Sequence, residues 1–236
     1  MKEKFNKFKE KIIKYSKDIQ FFCKVMIVTS FVFGFVIANC YVPSESMSPT
    51  LEEGQRFVGS RIAYQFNDVK RGDIVAFRFT GNERVKYLKR VIGLPGETII
   101  VKDGDLYIDE IKYNEPYVTE KMNKDSGPFY VPKKGDVVTI QNPEYDNDGN
   151  IIKANCYINN NYVGFVGNSE SDNSCELNTV DFLNKYCTEK DGEYVIKEDT
   201  YFMMGDNRNV SYDSRYWNNH YLKKSKIIAK YLFAYL

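Results

Sequence analysis

Three stretches of this 236-residue chain hold polar residues of the kinds that break acyl bonds. Pro43-Ser44-Glu45-Ser46-Met47-Ser48-Pro49-Thr50 is a serine-rich turn whose two prolines stiffen the backbone. Lys89 lies in Val85-Lys86-Tyr87-Leu88-Lys89-Arg90-Val91-Ile92, and Gly205-Asp206-Asn207-Arg208 leads to Ser211, Asp213, Ser214 and Arg215. A serine hydroxyl attacks a carbonyl only when a neighbouring base takes its proton. The one histidine, His220, sits in Asn218-Asn219-His220-Tyr221 and reads as a loop residue, so a Ser-His-Asp triad lacks its base. A lysine can serve instead if burial brings its pKa down from about 10.4. Strand alternation puts Tyr87, Lys89 and Val91 on one face, turning Lys89 inward among apolar neighbours and Arg90 toward solvent or a carboxylate. Taken singly, each segment has a plainer reading: a turn, a strand lysine, a loop with mutual salt bridges.

The elements that must position these residues begin with a membrane segment. Val25 to Val42 contains no charged residue, and with Ile19–Lys24 it reaches the roughly 20 residues that span a bilayer. A transmembrane helix over 19–42 is predicted, with Lys24 snorkelling to the inner interface. Lys2, Lys4, Lys7, Lys9, Lys11, Lys14 and Lys17 form a basic tail over 1–18, opposed only by Glu3, Glu10 and Asp18. Positive charge on that side places the N-terminus in the cytoplasm and everything after Val42 on the outer face of the cell membrane. Ser46 then falls within about 15 Å of the outer interface, where Val42, Met47 and Leu51 could also dip into it. Tyr41 and Pro43 argue against a cleaved leader, and Asn39 is too large for the position before a lipidated Cys40.

Beyond the membrane, short runs of Val, Ile, Tyr and Phe broken by Gly, Asp, Asn and Pro predict a mainly β domain with antiparallel strands. Strands are expected at 56–60, 73–79, 87–92, 98–102, 106–108, 136–140, 201–204 and 227–234. Lys70-Arg71-Gly72-Asp73 and Lys133-Lys134-Gly135-Asp136 each read as a turn feeding a strand, which also explains the Arg-Gly-Asp triplet without an adhesion role. Between 143 and 198 the composition shifts to Asn, Asp, Ser, Glu and Tyr. This segment reads as an insertion or cap, leaving 43–142 and 199–236 as the main β domain. Net charge is +1, with no basic stripe, so nucleic acid is not an expected partner. No Cys/His spacing suits a metal, and no cofactor is expected. A disulfide among Cys156, Cys175 and Cys187 is open, and would leave one thiol over.

The membrane segment followed by the Ser46 octet, the Lys89-Arg90 strand and the 205–215 box resembles type I signal peptidases, membrane-anchored serine endopeptidases that remove secretory signal sequences. The resemblance implies a β-barrel-like catalytic domain and exported preproteins as substrates, cut at a bilayer in proximity to the secretion translocon. It implies Ser46 as nucleophile and Lys89 as general base. Ser44 would donate to the oxyanion beside the Ser46 N–H, and Ser211 would orient the lysine amine through a hydrogen bond. Asp213 with Arg208 or Arg215 would support the site as an ion pair, with Gly205 where backbone passes close to the lysine. Val42, Met47, Leu51 and Leu88 would line pockets that admit small residues at the first and third positions before the cut. Glu45 and Glu97 depart mildly from the family pattern, and 143–198 does not match it.

Overall fold

A computed structural model describes residues 2–79, 82–145, 147, 151–167, 183, 185–190, 192–217 and 220–235. The chain opens with α1 (Lys2–Phe31), which a π-helical turn continues to Val36. Lys14–Val36 is long and apolar enough to cross a membrane. Phe21, Phe22, Ile27 and Phe35 stand 63–70% exposed along it, with no protein packed over them. The predicted helix to Val42 stops short: Ile37–Tyr41 leaves the helix as strand β1. Its backbone groups find partners in β2 (Arg56–Ser60), with Ile37 opposite Ser60 and Tyr41 opposite Arg56.

The rest is mainly β and antiparallel in every described pairing. After β2 come the short helix α2 (Ala63–Phe66), β3 (Ile74–Phe79) and β4 (Asn82–Gly93). Next are β5 (Thr98–Lys102), β6 (Asp105–Ile108), β7 (Ile111–Lys112) and β8 (Ser126–Tyr130). β9 (Val137–Tyr145) begins in the expected main domain and runs into the segment expected to be an insertion, 143–198, which contributes β10 (Ile151–Ile158), β11 (Asn161–Gly167), β12 (Cys187–Lys190) and β13 (Glu193–Ile196). The chain closes with β14 (Thr200–Met204), β15 (Leu222–Lys223) and β16 (Ile227–Tyr235).

The main sheet has the order β1-β2-β16-β3-β4-β14-β15, so the last strand lies inside it and chain ends far apart in sequence meet. A second sheet, β7-β6-β5-β8, and a third, β11-β10-β9-β13-β12, complete the described layers, each an open row. Apolar side chains at alternate positions close separate cores. Val75, Phe77, Val91, Met203 and Trp217 pack together around β3, β4 and β14, and Ile92, Ile99, Leu106, Val131 and Phe202 join the first two sheets. The third sheet has its own cluster of Val138, Cys156, Ile158, Tyr186, Cys187 and Ile196. Cys156 and Cys187 are free thiols buried there, so neither is in a disulfide; Cys175 lies outside the described residues.

The two look-alike turns match bond for bond. Asp73 accepts from the Lys70 amide at 3.1 Å and from Tyr64 at 2.8 Å, while Asp136 accepts from the Lys133 amide at 2.9 Å and from Tyr130 at 3.0 Å. Gly72 and Gly135 take φ of +87° and +90°, a left-handed backbone that suits glycine. Each turn launches a strand, and the first sets the register of β3 against β4, where Val75 faces Lys89.

Candidate active site

Val42 and Pro43 end β1, and the chain folds into a 3₁₀ turn over Glu45–Met47 that tucks Ser46 inward, leaving it 7% exposed. Lys89 projects from the middle of β4 and is 4% exposed. The two side chains meet: Lys89 Nζ lies 2.5 Å from Ser46 Oγ. Ser44 Oγ donates to the same oxygen at 3.2 Å.

Burial dominates the electrostatics of the lysine. Desolvation pulls its pKa from 10.5 down to about 8; Asp213 and Asp206 push back upward, and Arg215 adds to the lowering. A lysine in that range offers a usable fraction of free amine near neutral pH, which an exposed one does not.

The C-terminal box wraps this pair. Gly205 follows Met204, which stands opposite Arg90, and so comes level with Lys89. A Cβ on Gly205 would fall 2.3 Å from Ser211 Oγ and 2.3 Å from the Ser46 carbonyl oxygen, a distance no side chain tolerates. The Asn207 amide donates to that same Ser46 carbonyl at 3.1 Å. Asp213 accepts from the Gly205 amide at 3.0 Å and pairs with Arg215 through Nε and Nη2, both at 2.9 Å. Of the two arginines considered for Asp213, Arg215 is therefore its partner. Arg208 donates through Nε to the Gly205 carbonyl at 3.0 Å and gives its other end to Glu115 in a bidentate pair.

Ser211 is placed differently from the expectation. Its hydroxyl is buried without a hydrogen-bond partner, because the Lys89 amine is turned toward Ser46.

Of the two surroundings expected for Arg90, the structure has the carboxylate: it forms a double ion pair with Asp206 at 2.8 and 2.6 Å, donates to the Gly72 carbonyl, and lies 3.9 Å above the Tyr117 ring. Other supporting contacts have no signature in the sequence. Asp206 also accepts from Thr50 at 2.6 Å, tying the serine turn to the C-terminal box. Glu115 holds both Arg208 and Tyr117, so the 113–122 loop clamps the site from outside the three motif-bearing stretches. Glu97 closes on Arg71 at 2.6 and 2.9 Å. The Arg-Gly-Asp turn is thus held by its neighbours.

A groove of about 570 Å³ opens between β1 and β4, lined by Asn39, Cys40, Tyr41, Pro43, Lys86 and Leu88 among others. Of the four expected pocket residues, Leu88 lines it. Val42, Met47 and Leu51 are at most 1% exposed and pack with Phe57, Ile74 and Ala76 beneath it, which also keeps them from dipping into a membrane interface. His220 stands apart from the dyad, its Nδ1 2.5 Å from the Ser214 carbonyl and its ring 4.5 Å from that of Phe129.

A family model described as signal peptidase, peptidase S26, matches residues 15–236. The chain belongs to the S26 signal peptidase family. Signal peptidase I of Pseudomonas aeruginosa is 28% identical over 235 residues, covering 94% of this chain and 68% of that protein. Signal peptidase I of Aquifex aeolicus is 30% identical over 188 residues, 77% of this chain and 70% of that one. The Buchnera aphidicola signal peptidase I is 27% identical and covers 98% of this chain and 81% of its own. The S26 match spans the third sheet as well as both motif-bearing flanks, so the segment that resembled nothing by motif still lies within the family's length.

Proposed function

We propose that this chain is a membrane-bound signal peptidase that cuts N-terminal signal peptides from exported preproteins, with Ser46 as nucleophile and Lys89 as general base. The observation that carries the reading is the 2.5 Å approach of Lys89 Nζ to Ser46 Oγ in a desolvated pocket.

The neutral amine of Lys89 takes the Ser46 proton as Oγ attacks the scissile carbonyl carbon. The negative charge passes to the carbonyl oxygen, where the Ser44 hydroxyl and the Ser46 N–H receive it; each such donor lowers the barrier by about 3 kcal/mol. Lys89 then returns the proton to the departing amine, leaving an ester on Ser46. Water, deprotonated by Lys89, attacks the ester; Lys89 then passes that proton to the departing Ser46 Oγ, and the signal peptide leaves with a carboxylate end. Once Ser46 is esterified the amine needs another partner, and the unpaired hydroxyl of Ser211 supplies it. Asp213, Arg215 and Arg208 hold Gly205 against the dyad and touch no reacting atom.

The substrate lies extended in the groove, adding main-chain bonds beside β4, with Leu88 limiting its side chains to small ones. The helix over Lys14–Val36 anchors the enzyme in the cytoplasmic membrane. The lysines before it hold the N-terminus inside and put both β flanks and the third sheet outside, where preproteins leave the translocon. The division into tail, span, catalytic flanks and cap belongs to the same proposal, with the cap's own sheet starting at Val137. The experiment is incubation of the detergent-solubilised protein with a preprotein carrying an Ala-x-Ala site, followed by mapping the new N-terminus. A cut directly after the second alanine, absent with Ser46→Ala, supports the reading; no cut, or one that persists in Ser46→Ala, removes it.

A further inference from the structure

A second cavity, of about 640 Å³, lies well away from the dyad, between α2, the start of β16 and the loop before β14. Its charged lining is Arg61, Lys134, Lys197 and Lys224 against Glu198 and Asp199. Both carboxylates are already engaged: Glu198 accepts from the Ser225 amide and hydroxyl at 2.9 and 2.8 Å, and Asp199 from the Lys134 amide at 2.9 Å. The Lys224 ammonium reaches only the outlying Asp68, at 3.9 Å. Four cationic against two anionic side chains give the lining an excess of positive charge.

Its height is fixed by one residue. The Arg61 amide donates to the Val36 carbonyl at 2.8 Å and its Nε to the Ile37 carbonyl at 3.1 Å. Val36 is the last residue of the apolar helix. Arg61 is thus bolted to the point where the chain leaves the hydrocarbon, and the cavity begins at the level of lipid headgroups. Phe66, at the end of α2, is 78% exposed beside it, an aromatic ring of the kind that settles at a membrane interface. Cations within a few ångströms of that plane attract lipid phosphates.

We propose that this cavity binds the phosphate of an anionic phospholipid headgroup, docking the β domain on the bilayer at a site separate from the substrate groove. The inference rests on Lys14–Val36 being a membrane span, and does not depend on the peptidase chemistry.

The test uses the full chain reconstituted in vesicles of phosphatidylcholine alone or with phosphatidylglycerol, and reads the thermal unfolding midpoint. With phosphatidylglycerol the midpoint is expected to rise by roughly 2–4 °C. Lys134→Gln with Lys224→Gln should lose that rise and keep the midpoint in phosphatidylcholine. Lys102→Gln with Lys124→Gln, which removes equal charge elsewhere, should keep the rise. Equal loss in both pairs, or retention in the first, overturns the proposal. Millimolar inorganic phosphate added to phosphatidylcholine vesicles should leave the midpoint unchanged; if it reproduces the rise, the cavity takes a soluble anion and the lipid assignment falls. Flotation with the neutral vesicles reads the anchor, and preprotein cleavage in the same samples reads the peptidase, each independently of the midpoint shift.

Discussion

Lys89 and Ser46, 43 positions apart in the chain, are joined nitrogen to oxygen at 2.5 Å, and each is more than nine-tenths buried. Such a contact between an amine and an alcohol shut away from water is suited to moving one proton.

Ser46→Ala and Lys89→Met should each lower preprotein cleavage by on the order of 10³-fold or more, and the double variant should be little worse, because both residues act in one step. Lys89→Arg should be equally inactive, since a guanidinium holds its proton throughout the working range. Kinetic assays of the four proteins decide it. Additive losses would break the unit apart, and full cleavage without Ser46 would place the nucleophile elsewhere.

The pH profile follows from the sign of the lysine shift. Burial lowers the Lys89 pKa to about 8, and the base works deprotonated, so kcat/KM should climb through a limb near pH 8 and level above it. His220→Ala should leave that limb in place, because the ring is occupied with Ser214 and Phe129. Disappearance of the limb in a folded His220→Ala protein would reassign the base.

The same burial costs stability. A lysine whose pKa falls from 10.5 to about 8 on folding resists folding in its charged form by about 3 kcal/mol below pH 8, easing as pH rises toward 10.5. Lys89→Met should therefore be more stable than the parent at pH 7, by about 1–3 kcal/mol, with the gap closing between pH 8 and 10.5. Urea unfolding across that pH series checks the direction, and a destabilised Lys89→Met would contradict it.

Ser44→Ala should cut kcat by about 10²–10³-fold with KM nearly unchanged, as a donor that meets charge only in the transition state requires. A matched rise in KM instead would make Ser44 a ground-state contact.

Asp206→Ala should destabilise the fold by about 3–5 kcal/mol, since it strands the Arg90 guanidinium in a buried site. Pairing it with Arg90→Met should recover much of the loss. A double-mutant cycle by thermal unfolding measures the coupling, and a coupling near zero would show that Tyr117 and the Gly72 carbonyl hold Arg90 unaided.

The sequence made strands of the first two sheets legible because they alternate cleanly: 56–60 in the main sheet and 98–102 in the second match their predicted limits. It mistook Ile37–Tyr41 for helix, since a strand bonded along one edge and uncharged throughout continues the composition of the membrane span before it. Strands β8 and β12 carry too few apolar residues to announce themselves and depend on pairing with β5 and β13. At the site, Ser46 and Lys89 stood out through motif and setting. Glu115 and Tyr117 did not, because nothing within their own segment shows that the loop folds back on Arg208 and Arg90. Arg90 itself was read from alternation as facing away from Lys89, and its carboxylate lies 116 positions onward.

Strand β1 has a consequence for which chains can be cut. It runs from the helix end at Val36 to the serine turn, and Asn39, Cys40, Tyr41 and Pro43 form one wall of the groove. A peptide leaving the bilayer and lying alongside it advances at the same pitch, about 3.3 Å per residue. With the substrate lying as proposed, residues 37–45 would act as a ruler, setting how many residues must separate the end of a substrate's apolar run from its severed bond. A signal whose greasy core stops too near the cut cannot reach Ser46 without dragging that core out of lipid, and one that stops too far away must buckle. On that proposal length, as much as the small side chains beside the bond, would select the client.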